Sequence, residues 1–412
     1  MSTGFDVERM RAARPGDPGL LAAILLLAGL GMATLWSASS GYALSLGKSG
    51  AYFVIRQALY LLPSIFVFLA CAYLPLEAVR AKIGPITLVG LASLLLPFVP
   101  GLGENKNGAA RWIDLGFATF QPSEFWKPIS VLYLAHILDR RARRHAGAGA
   151  ELGSSRDGGA EPGPSSSLIA PFLLVGLGCL LIYLQNDFST AIVAGMAALA
   201  VFWIAGAPIT FFLGIGAAAA PLAALSILTS DFRLRRILAF LFPAYEPHGQ
   251  GYQVLGSMRA IRAGGFFGKG IGLGTLKLAS VPEVQSDFVF AAWAEETGFL
   301  GVLAFLALWA FLAWRALKIA FSEPDGFRSY LGVGLVVLLL LEVLVNVAVA
   351  AGAIPATGMA LPFFSAGGSA LLATAGTCGF LYNLSRASAS RLEQRDGTLG
   401  DFPGEARGAA DA

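Results

Sequence analysis

The chain has 412 residues, of which 56% are hydrophobic and 13% are charged. Soluble domains carry roughly 25% charged residues, so the composition excludes an ordinary soluble domain and indicates a polytopic membrane protein. The net charge of +3 is small and the basic residues cluster at the ends of apolar runs, so no nucleic-acid partner is predicted.

Apolar runs of about 17 to 25 residues recur along the chain and are long enough to cross a membrane as helices. We therefore predict an all-α membrane protein with about ten transmembrane helices. The spans lie at roughly 19–38, 52–73, 83–100, 120–138, 168–184, 188–206, 208–228, 287–314, 329–353 and 358–384. The first run follows three arginines like a signal peptide, but the many similar runs after it favour an uncleaved span.

Basic residues in the short loops predict the orientation, because cytoplasmic loops carry an excess of lysine and arginine. Examples are Arg80, Arg143, Arg315 and Arg328, which lie on one side if both termini are cytoplasmic. Residues 1–18 are then a cytoplasmic segment and 19–386 the membrane domain. Residues 139–167 and 387–412 are predicted to be disordered and cytoplasmic.

Segments 101–119 and 229–286 then face outward, and the second is a large loop between helices 7 and 8. It breaks the charge rule because seven basic residues lie on the disfavoured side. These are Arg233, Arg235, Arg236, Arg259, Arg262, Lys269 and Lys277. The rule weakens for long loops, but an anion on that side, such as a lipid phosphate, explains so many positive charges more economically.

A glycine-rich loop, residues 264–275, lies within this segment and is too polar to span a bilayer. Its six glycines permit close backbone approach and positive φ angles. Arginine and lysine residues flank them, and glycine beside positive charge suits an anionic ligand. We therefore expect this loop to face water or to line a cavity.

Charged side chains in or at the ends of spans are costly and mark candidate functional sites. They are Arg56, Glu124, Lys127, Asp187, Asp287, Glu295, Glu296 and Glu342. Glu124 and Lys127 can pair on one helical face, and Asp187 suits a cap of the following helix. Glu295 lies eight residues after Asp287, close to the same face.

Asp287 opens an apolar helix directly after the basic loop, and two interpretations stay open. It complements the helix dipole as an N-terminal acid, or it is catalytic. The other outward segment supplies Lys106, Arg111, Trp112, Gln121 and Glu124. Two polar loops that converge on one face of a membrane bundle form a site, which favours catalysis.

Five ordered motifs run through the membrane region, followed by NLSR. They are NGAARWIDLGFATFQPSEFWK, QNDFSTA, GQGYQVLGSMRAIRAGGFFGKGIGLG, VPEVQSDFVFAAWAEETGFLG and NVAVAAGAIPATGMALPFFSAGGSALL. On these motifs the chain resembles the SEDS family of bacterial cell-wall proteins, whose members include FtsW and RodA, over about residues 20–386. The resemblance implies a membrane glycosyltransferase that polymerises lipid II into peptidoglycan glycan strands, with Asp287 as the catalytic acid.

In this hypothesis Asp287 takes the proton of the acceptor sugar's 4-hydroxyl while polyprenyl pyrophosphate leaves the donor. We expect the following residues to bind substrate: Lys106, Arg111, Trp112, Gln121, Glu124, Lys127, Arg259, Lys269, Lys277, Glu283 and Glu295. A divalent cation, Mg²⁺ or Mn²⁺, would help the leaving group, although no ligand cluster predicts one. The implied partners are a class B penicillin-binding protein, which is a single-span transpeptidase, and divisome proteins in the bacterial inner membrane.

The sequence departs from the family pattern at several positions. Gln285 and Ser286 stand where the family has His and Thr, QNDFST replaces QPD-x-G-T, and Ala110 and Ala366 replace a basic residue and a Tyr. EPHGQGYQ, Lys277 and YLAHILDRR resemble FtsW, the division member, whereas GKG and GT resemble RodA, the elongation member; we favour FtsW.

Two other functions are consistent with the sequence. A lipid II flippase would also use intramembrane acids, but its site is expected near the midplane, whereas the polar residues here gather at the outer face. A non-catalytic scaffold would hold a transpeptidase against the eighth and ninth spans.

Overall fold

A computed structural model of the chain describes residues 15–106, 109–116, 118–151, 166–242, 250–275 and 284–400. These residues form thirteen α-helices, a 3₁₀ turn at Leu96–Phe98 and one antiparallel sheet. The helices are α1 Pro18–Ser45, α2 Tyr52–Tyr73, α3 Leu76–Ala81, α4 Ile83–Ser93, α5 Pro122–Glu151, α6 Ser166–Leu184, α7 Phe188–Ile204, α8 Ile209–Leu228, α9 Asp231–Leu241, α10 Gln250–Gly264, α11 Val289–Ser322, α12 Gly326–Ala350 and α13 Gly368–Gly400. The strands, in sheet order, are β1 Gly103–Lys106, β2 Ala109–Asp114 and β3 Thr119–Phe120.

The predicted membrane architecture is confirmed, because each of the ten predicted spans falls on a helix. Among the described residues, α1, α2, α8, α11 and α12 are long and apolar enough to cross a membrane, and α4, α6 and α7 are shorter apolar helices. The number of helices that cross the bilayer stays a prediction.

Helix ends differ from the prediction at three places. The tenth predicted span begins ten residues late, at Gly368, because two prolines and a positive φ of 68° at Phe363 keep residues 351–367 out of a helix. α5 and α13 run to Glu151 and Gly400, into segments predicted to be disordered. Residues 152–165 and 401–412 lie outside the described residues.

α12 is the centre of the bundle and packs on α5, α7, α11 and α13. α2 and α13 approach each other closely through small residues on α13. A Cβ added at Gly368 or Gly379 would come within 2.5 Å of Tyr60 or of the Phe68 carbonyl of α2. Small residues at helix contacts are typical of membrane bundles, where close packing replaces the hydrophobic effect.

One end of the bundle, which we call the charged end, carries a network of ion pairs. Asp139 pairs with Arg80 and Arg143, and Asp325 lies 2.5 Å from Arg143 and 3.6 Å from Arg328. Asp17, the N-cap of α1, pairs with Arg315. The network joins loops that the charge pattern predicted to share one side of the membrane.

The loop between predicted helices 7 and 8 contains two helices of its own, α9 and α10. α10 packs along α11, and Ser257 donates a hydrogen bond to the Ala350 carbonyl at 2.7 Å. The glycine-rich loop follows α10 and exposes apolar side chains, with Phe267, Ile271 and Leu273 between 67% and 78% accessible. Such a surface suits lipid, which differs from the expectation of a loop that faces water.

Candidate active site

Asp287 lies in the turn that precedes α11, and the main chain of this turn is fixed by other elements. Asn346 of α12 donates to the Asp287 carbonyl at 3.1 Å, and the Ser365 hydroxyl donates to the Ser286 carbonyl. The Ala366 amide donates to the Gln285 carbonyl at 2.8 Å. The N-cap position of α11 is Phe288, so Asp287 lies just outside the cap.

Two cavities of different character meet at Asp287. The larger has a volume of about 780 Å³ and the smaller about 250 Å³. Both are lined by Trp112, Ser286, Asp287 and Gly358. A Cβ added at Gly358, where φ is 74°, would lie 3.6 Å from Asp287 Oδ2, so glycine lets this strand of main chain pass close to the carboxylate. Asp287 is therefore accessible from both cavities.

The larger cavity combines apolar walls with three arginines. Ile192 and Val193 of α7, Ile227 of α8 and Val345 of α12 supply apolar surface, while Arg111, Arg233 and Arg236 supply positive charge. Arg233 is held in place by hydrogen bonds to the Tyr183 hydroxyl at 2.7 Å and to Ser226 Oγ at 2.8 Å. Fixed arginines beside an apolar wall suit a ligand with an anionic head and a hydrocarbon tail.

Charges at this cavity act on one another. The pKa of Arg236 is lowered from its ordinary value, because burial and the neighbouring Arg111 outweigh the carboxylates of Asp287 and Asp187, which raise it. The guanidinium remains charged, because arginine does not lose its proton in proteins. Two carboxylates and two arginines therefore share a single electrostatic environment.

Asp187 joins the walls of the two cavities. It is the N-cap of α7 and accepts a hydrogen bond from the Thr190 amide at 3.4 Å, which confirms the predicted capping role. Its carboxylate also lies 3.7 Å from Arg111 and accepts a hydrogen bond from Gln121 at 3.2 Å. Arg111 in turn donates to the Asn186 carbonyl, so β2 is tied to the start of α7.

The smaller cavity is the more polar of the two. Arg56, Gln57, Gln121 and Glu124 line it together with main chain of residues 358–360 and 366–370. Glu124 pairs with Lys127 at 2.8 Å, as predicted, and Lys127 also lies 2.5 Å from Glu342. Lys127 is buried and outside the lining, so it holds Glu124 in place rather than facing the cavity.

The glycine-rich loop does not take part in either cavity. Lys269 pairs with Glu295 at 2.9 Å, and the Glu295 side chain is fully buried. Arg259 is exposed on α10, where it lies over the Tyr252 ring. This differs from the prediction that Arg259, Lys269 and Glu295 contact substrate, because positive charge near glycine in sequence does not say which way the side chain points.

Other predicted residues are placed as follows. Arg111, Trp112, Gln121, Glu124 and Asp287 line the cavities. The main chain of Lys106 lies in β1. Lys277 and Glu283 lie outside the described residues. Arg56, Arg233 and Arg236 line the cavities too. They were not among the residues predicted to bind substrate, although Arg233 and Arg236 are three apart and so share a helical face.

Three departures from the family pattern are neighbours in the structure. Ala366 donates its amide to Gln285, and the Ser286 carbonyl accepts from Ser365. Ser286 and Ala366 both line the smaller cavity. These three substitutions therefore lie together next to Asp287, and two of them change the wall of the smaller cavity.

The residues that the structure describes contain no group of three or more His, Cys, Asp or Glu side chains that could hold a metal ion. Asp287 and Glu124 are the two carboxylates that line the smaller cavity, among these residues. Mg²⁺ commonly takes one or two carboxylates and completes its shell with water and substrate phosphates, and of these two carboxylates Glu124 is already paired with Lys127.

Comparison with known proteins bears on nearly the whole membrane region. A family of cell cycle proteins defined on FtsW, RodA and SpoVE matches residues 19–390. A probable peptidoglycan glycosyltransferase FtsW of Trichlorobacter lovleyi is 35% identical over 369 residues, which cover 90% of this chain and 93% of the relative. Another from Alkalilimnicola ehrlichii is 36% identical over 362 residues, which cover 87% and 86%.

Solved structures agree with the sequence comparison. A chain from a peptidoglycan synthase complex that coordinates polymerization and crosslinking aligns with a TM-score of 0.72 and 26% identity, over 90% of this chain and 98% of its own length. The rod shape determining protein RodA of Thermus thermophilus aligns with a TM-score of 0.64 and 26% identity, over 90% and 97%.

Proposed function

The chain belongs to the cell cycle protein family of FtsW, RodA and SpoVE and is a peptidoglycan glycosyltransferase of the FtsW kind; from this premise, we propose that its two cavities hold two lipid-linked sugars on either side of Asp287. The observation that carries the proposal is the meeting of two chemically different cavities at a single carboxylate. The arrangement suits glycan polymerisation, because the acceptor hydroxyl must contact the base and the donor's anomeric carbon at the same time.

The donor occupies the larger cavity in this proposal. Its pyrophosphate lies against Arg111, Arg233 and Arg236, and the start of its polyprenyl chain lies along the apolar wall of α7 and α12. Arginine forms paired hydrogen bonds with phosphate oxygens. Because Arg111 and Arg233 are held by hydrogen bonds before substrate arrives, they stabilise the negative charge that develops as the pyrophosphate leaves.

The acceptor occupies the smaller cavity, where Glu124, Gln121 and Gln57 offer hydrogen-bond partners for sugar hydroxyls. Asp287 accepts the proton of the acceptor 4-hydroxyl as that oxygen bonds to the donor's anomeric carbon. The bond between the anomeric carbon and pyrophosphate breaks, and polyprenyl pyrophosphate leaves with the electron pair. General-base catalysis of this kind contributes roughly 10² to 10⁴-fold in rate.

We further propose that the substrate is lipid II and that the enzyme acts in septal synthesis. It lies in the inner membrane with both termini in the cytoplasm. The charged end supports the orientation, since cytoplasmic loops carry excess basic residues. A class B penicillin-binding protein with one span is the proposed partner, in line with the synthase complex above. A divalent cation would supply further positive charge at the pyrophosphate, held mainly by substrate phosphates and water.

Polymerisation of fluorescent lipid II by the purified chain tests the proposal, with and without its partner transpeptidase. Asp287→Asn keeps the size and hydrogen bonding of a helix-terminal residue but is not a base, so we expect glycan synthesis to fall by about 10² or more. Asp114→Asn on β2 is the matched control, because it is exposed and lines neither cavity. Wild-type synthesis by Asp287→Asn would refute the catalytic assignment, and lipid transport without synthesis by the wild type would favour a flippase.

A further inference from the structure

α11 is broken near the site, and the break isolates the helical segment that follows Asp287. Gly298 has φ 65° and ψ −164°, which are not helical angles. A break of this kind removes the intrahelical partners of nearby carbonyl and amide groups. Residues 289–297 are thereby a separate helical piece, and we call this piece the first segment of α11.

The glycine-rich loop supplies the missing partners. Lys269 and Gly270 donate their amides to the carbonyls of Glu295 and Glu296 at 3.0 and 2.9 Å. Phe299 and Leu300 donate to the carbonyls of Gly265 and Phe266 at 2.9 and 3.2 Å. Four main-chain hydrogen bonds therefore join the loop to both sides of the break, in place of the bonds that an unbroken helix would make across it.

Side chains clamp the end of the first segment from two directions. Glu295 Oε1 accepts from Lys269 Nζ at 2.9 Å and from the Thr275 amide at 2.9 Å. Glu296 accepts from the Ser37 hydroxyl of α1. A Cβ at Gly274 would lie 3.0 Å from Glu295 Oε2, so the loop fits closely around this carboxylate.

The tilt of the first segment is set by contacts at both of its ends, the hydrogen bonds to the turn of Asp287 at one end and the glycine-rich loop at the other. Asp287 lies eleven residues before Gly298, which is about 16 Å at the rise of an α-helix. A rotation of about 4° at the break would move Asp287 by about 1 Å. Misplacement by 1 Å costs on the order of 100-fold in rate, because reacting atoms must be held in near-attack geometry.

We propose that Lys269 and Glu295 are positioning residues, whose ion pair fixes the angle of the first segment and so holds Asp287 between the two cavities. The inference rests on the proposed catalytic role of Asp287. Neither residue lines a cavity, so both act through main chain and not through contact with substrate. The pair gives the buried Glu295 carboxylate a cationic partner within the loop.

Glu295→Gln is the first test, because the amide keeps the shape and an oxygen for the Thr275 N–H but loses the charge. We expect kcat for lipid II polymerisation to fall about 10- to 100-fold in full-length protein with its partner, while KM changes less than about 2-fold. Lys269→Met should have the same effect, and Lys269→Arg should restore kcat to within about 3-fold. Glu323→Gln, buried at the opposite end of α11, controls for loss of stability alone.

The rates are compared per folded protein, and thermal unfolding is measured in parallel. A wild-type kcat in folded Glu295→Gln, whatever its unfolding temperature, would overturn the inference and leave a structural role only. If Glu295→Gln does not fold, the same criterion applies to Lys269→Met, and then to the exchanged pair Lys269→Glu with Glu295→Lys. A loss that appears in KM alone would place Lys269 and Glu295 in substrate binding instead. Failure of Asp287→Asn to reduce synthesis would overturn the proposed function separately.

Discussion

Replacing Arg236 by alanine should weaken the enzyme's hold on the pyrophosphate group of the donor. The Arg236 guanidinium lines the larger cavity and interacts electrostatically with Asp287, Asp187 and Arg111. A hydrogen bond to a charged group contributes roughly 1.5 to 3 kcal/mol. At about 1.4 kcal/mol per factor of ten, its loss should lower kcat/KM about 10- to 150-fold.

Arg235 provides a matched control for this change. It is the neighbouring arginine of the same helix, it is exposed, and it lines neither cavity. Arg235→Ala removes the same charge from the same helix, but outside the cavity, and should change kcat/KM less than about 2-fold. Arg236→Lys should recover part of the loss, because an ammonium keeps the charge but not the paired hydrogen bonds.

Two measurements separate binding of the pyrophosphate from other effects. Initial rates of glycan synthesis over a range of lipid II give kcat/KM. Inhibition by added polyprenyl pyrophosphate, the product that leaves the donor, reports on binding of the pyrophosphate without the sugar and should weaken in Arg236→Ala by a similar factor. Equal effects of Arg235→Ala and Arg236→Ala, or unchanged product inhibition in Arg236→Ala, would refute the assignment of this cavity to the donor.

Three further predictions follow from the packing. Lys127→Met leaves the buried Glu342 and the cavity-lining Glu124 without their cation and should destabilise the fold by about 3 to 5 kcal/mol; thermal unfolding measures this, and recovery is expected when both acids are also changed to glutamine. Gly268→Ala places a Cβ 2.1 Å from the Glu296 carbonyl, whereas Gly272→Ala meets open space at a similar φ, so only the first should lower the unfolding temperature strongly. In a cysteine-free background, Leu115→Cys should be labelled from outside intact cells and Glu77→Cys only after permeabilisation; the reverse pattern would invert the topology.

The sequence predicted the bundle well because span length and loop charge are local properties. A run of about 20 apolar residues is read from the chain alone, and each predicted span is a helix. The pairing of Glu124 with Lys127 and the capping by Asp187 are also local, since they depend on spacings of three residues. Topology also predicted that Asp287 lies near Arg111, Trp112 and Gln121, and these residues line the cavities that meet at Asp287.

The role of the glycine-rich loop was harder to predict, because a phosphate-binding loop and a loop packed against a helix need the same residue types. A phosphate cradle and a close fit to a broken helix both require positive φ and the absence of a Cβ. The deciding contact joins Gly268 to Gly298, thirty residues later, where a Cβ on Gly298 would lie 2.3 Å from the Gly268 nitrogen. No pattern within the loop reports that contact.

The arginines of α9 show a similar limit. Arg233, Arg235 and Arg236 have the same charge and nearly the same sequence position, yet two of them line the larger cavity and one is exposed. Only the packing of α9 against α8 and α10 makes this distinction. The helical spacing of three residues shows which pair shares a face, but it does not show whether that face points inward.

Chain order gives the break in α11 a consequence for biogenesis. An unsatisfied main-chain group in hydrocarbon costs several kcal/mol, so a broken helix inserts poorly by itself. The groups on either side of Gly298 are satisfied by residues 265, 266, 269 and 270, which leave the ribosome before α11 does. The partner of the break is therefore already synthesised when the second half of α11 reaches the translocon, and a circular permutation that placed the loop after α11 would lose this order of events.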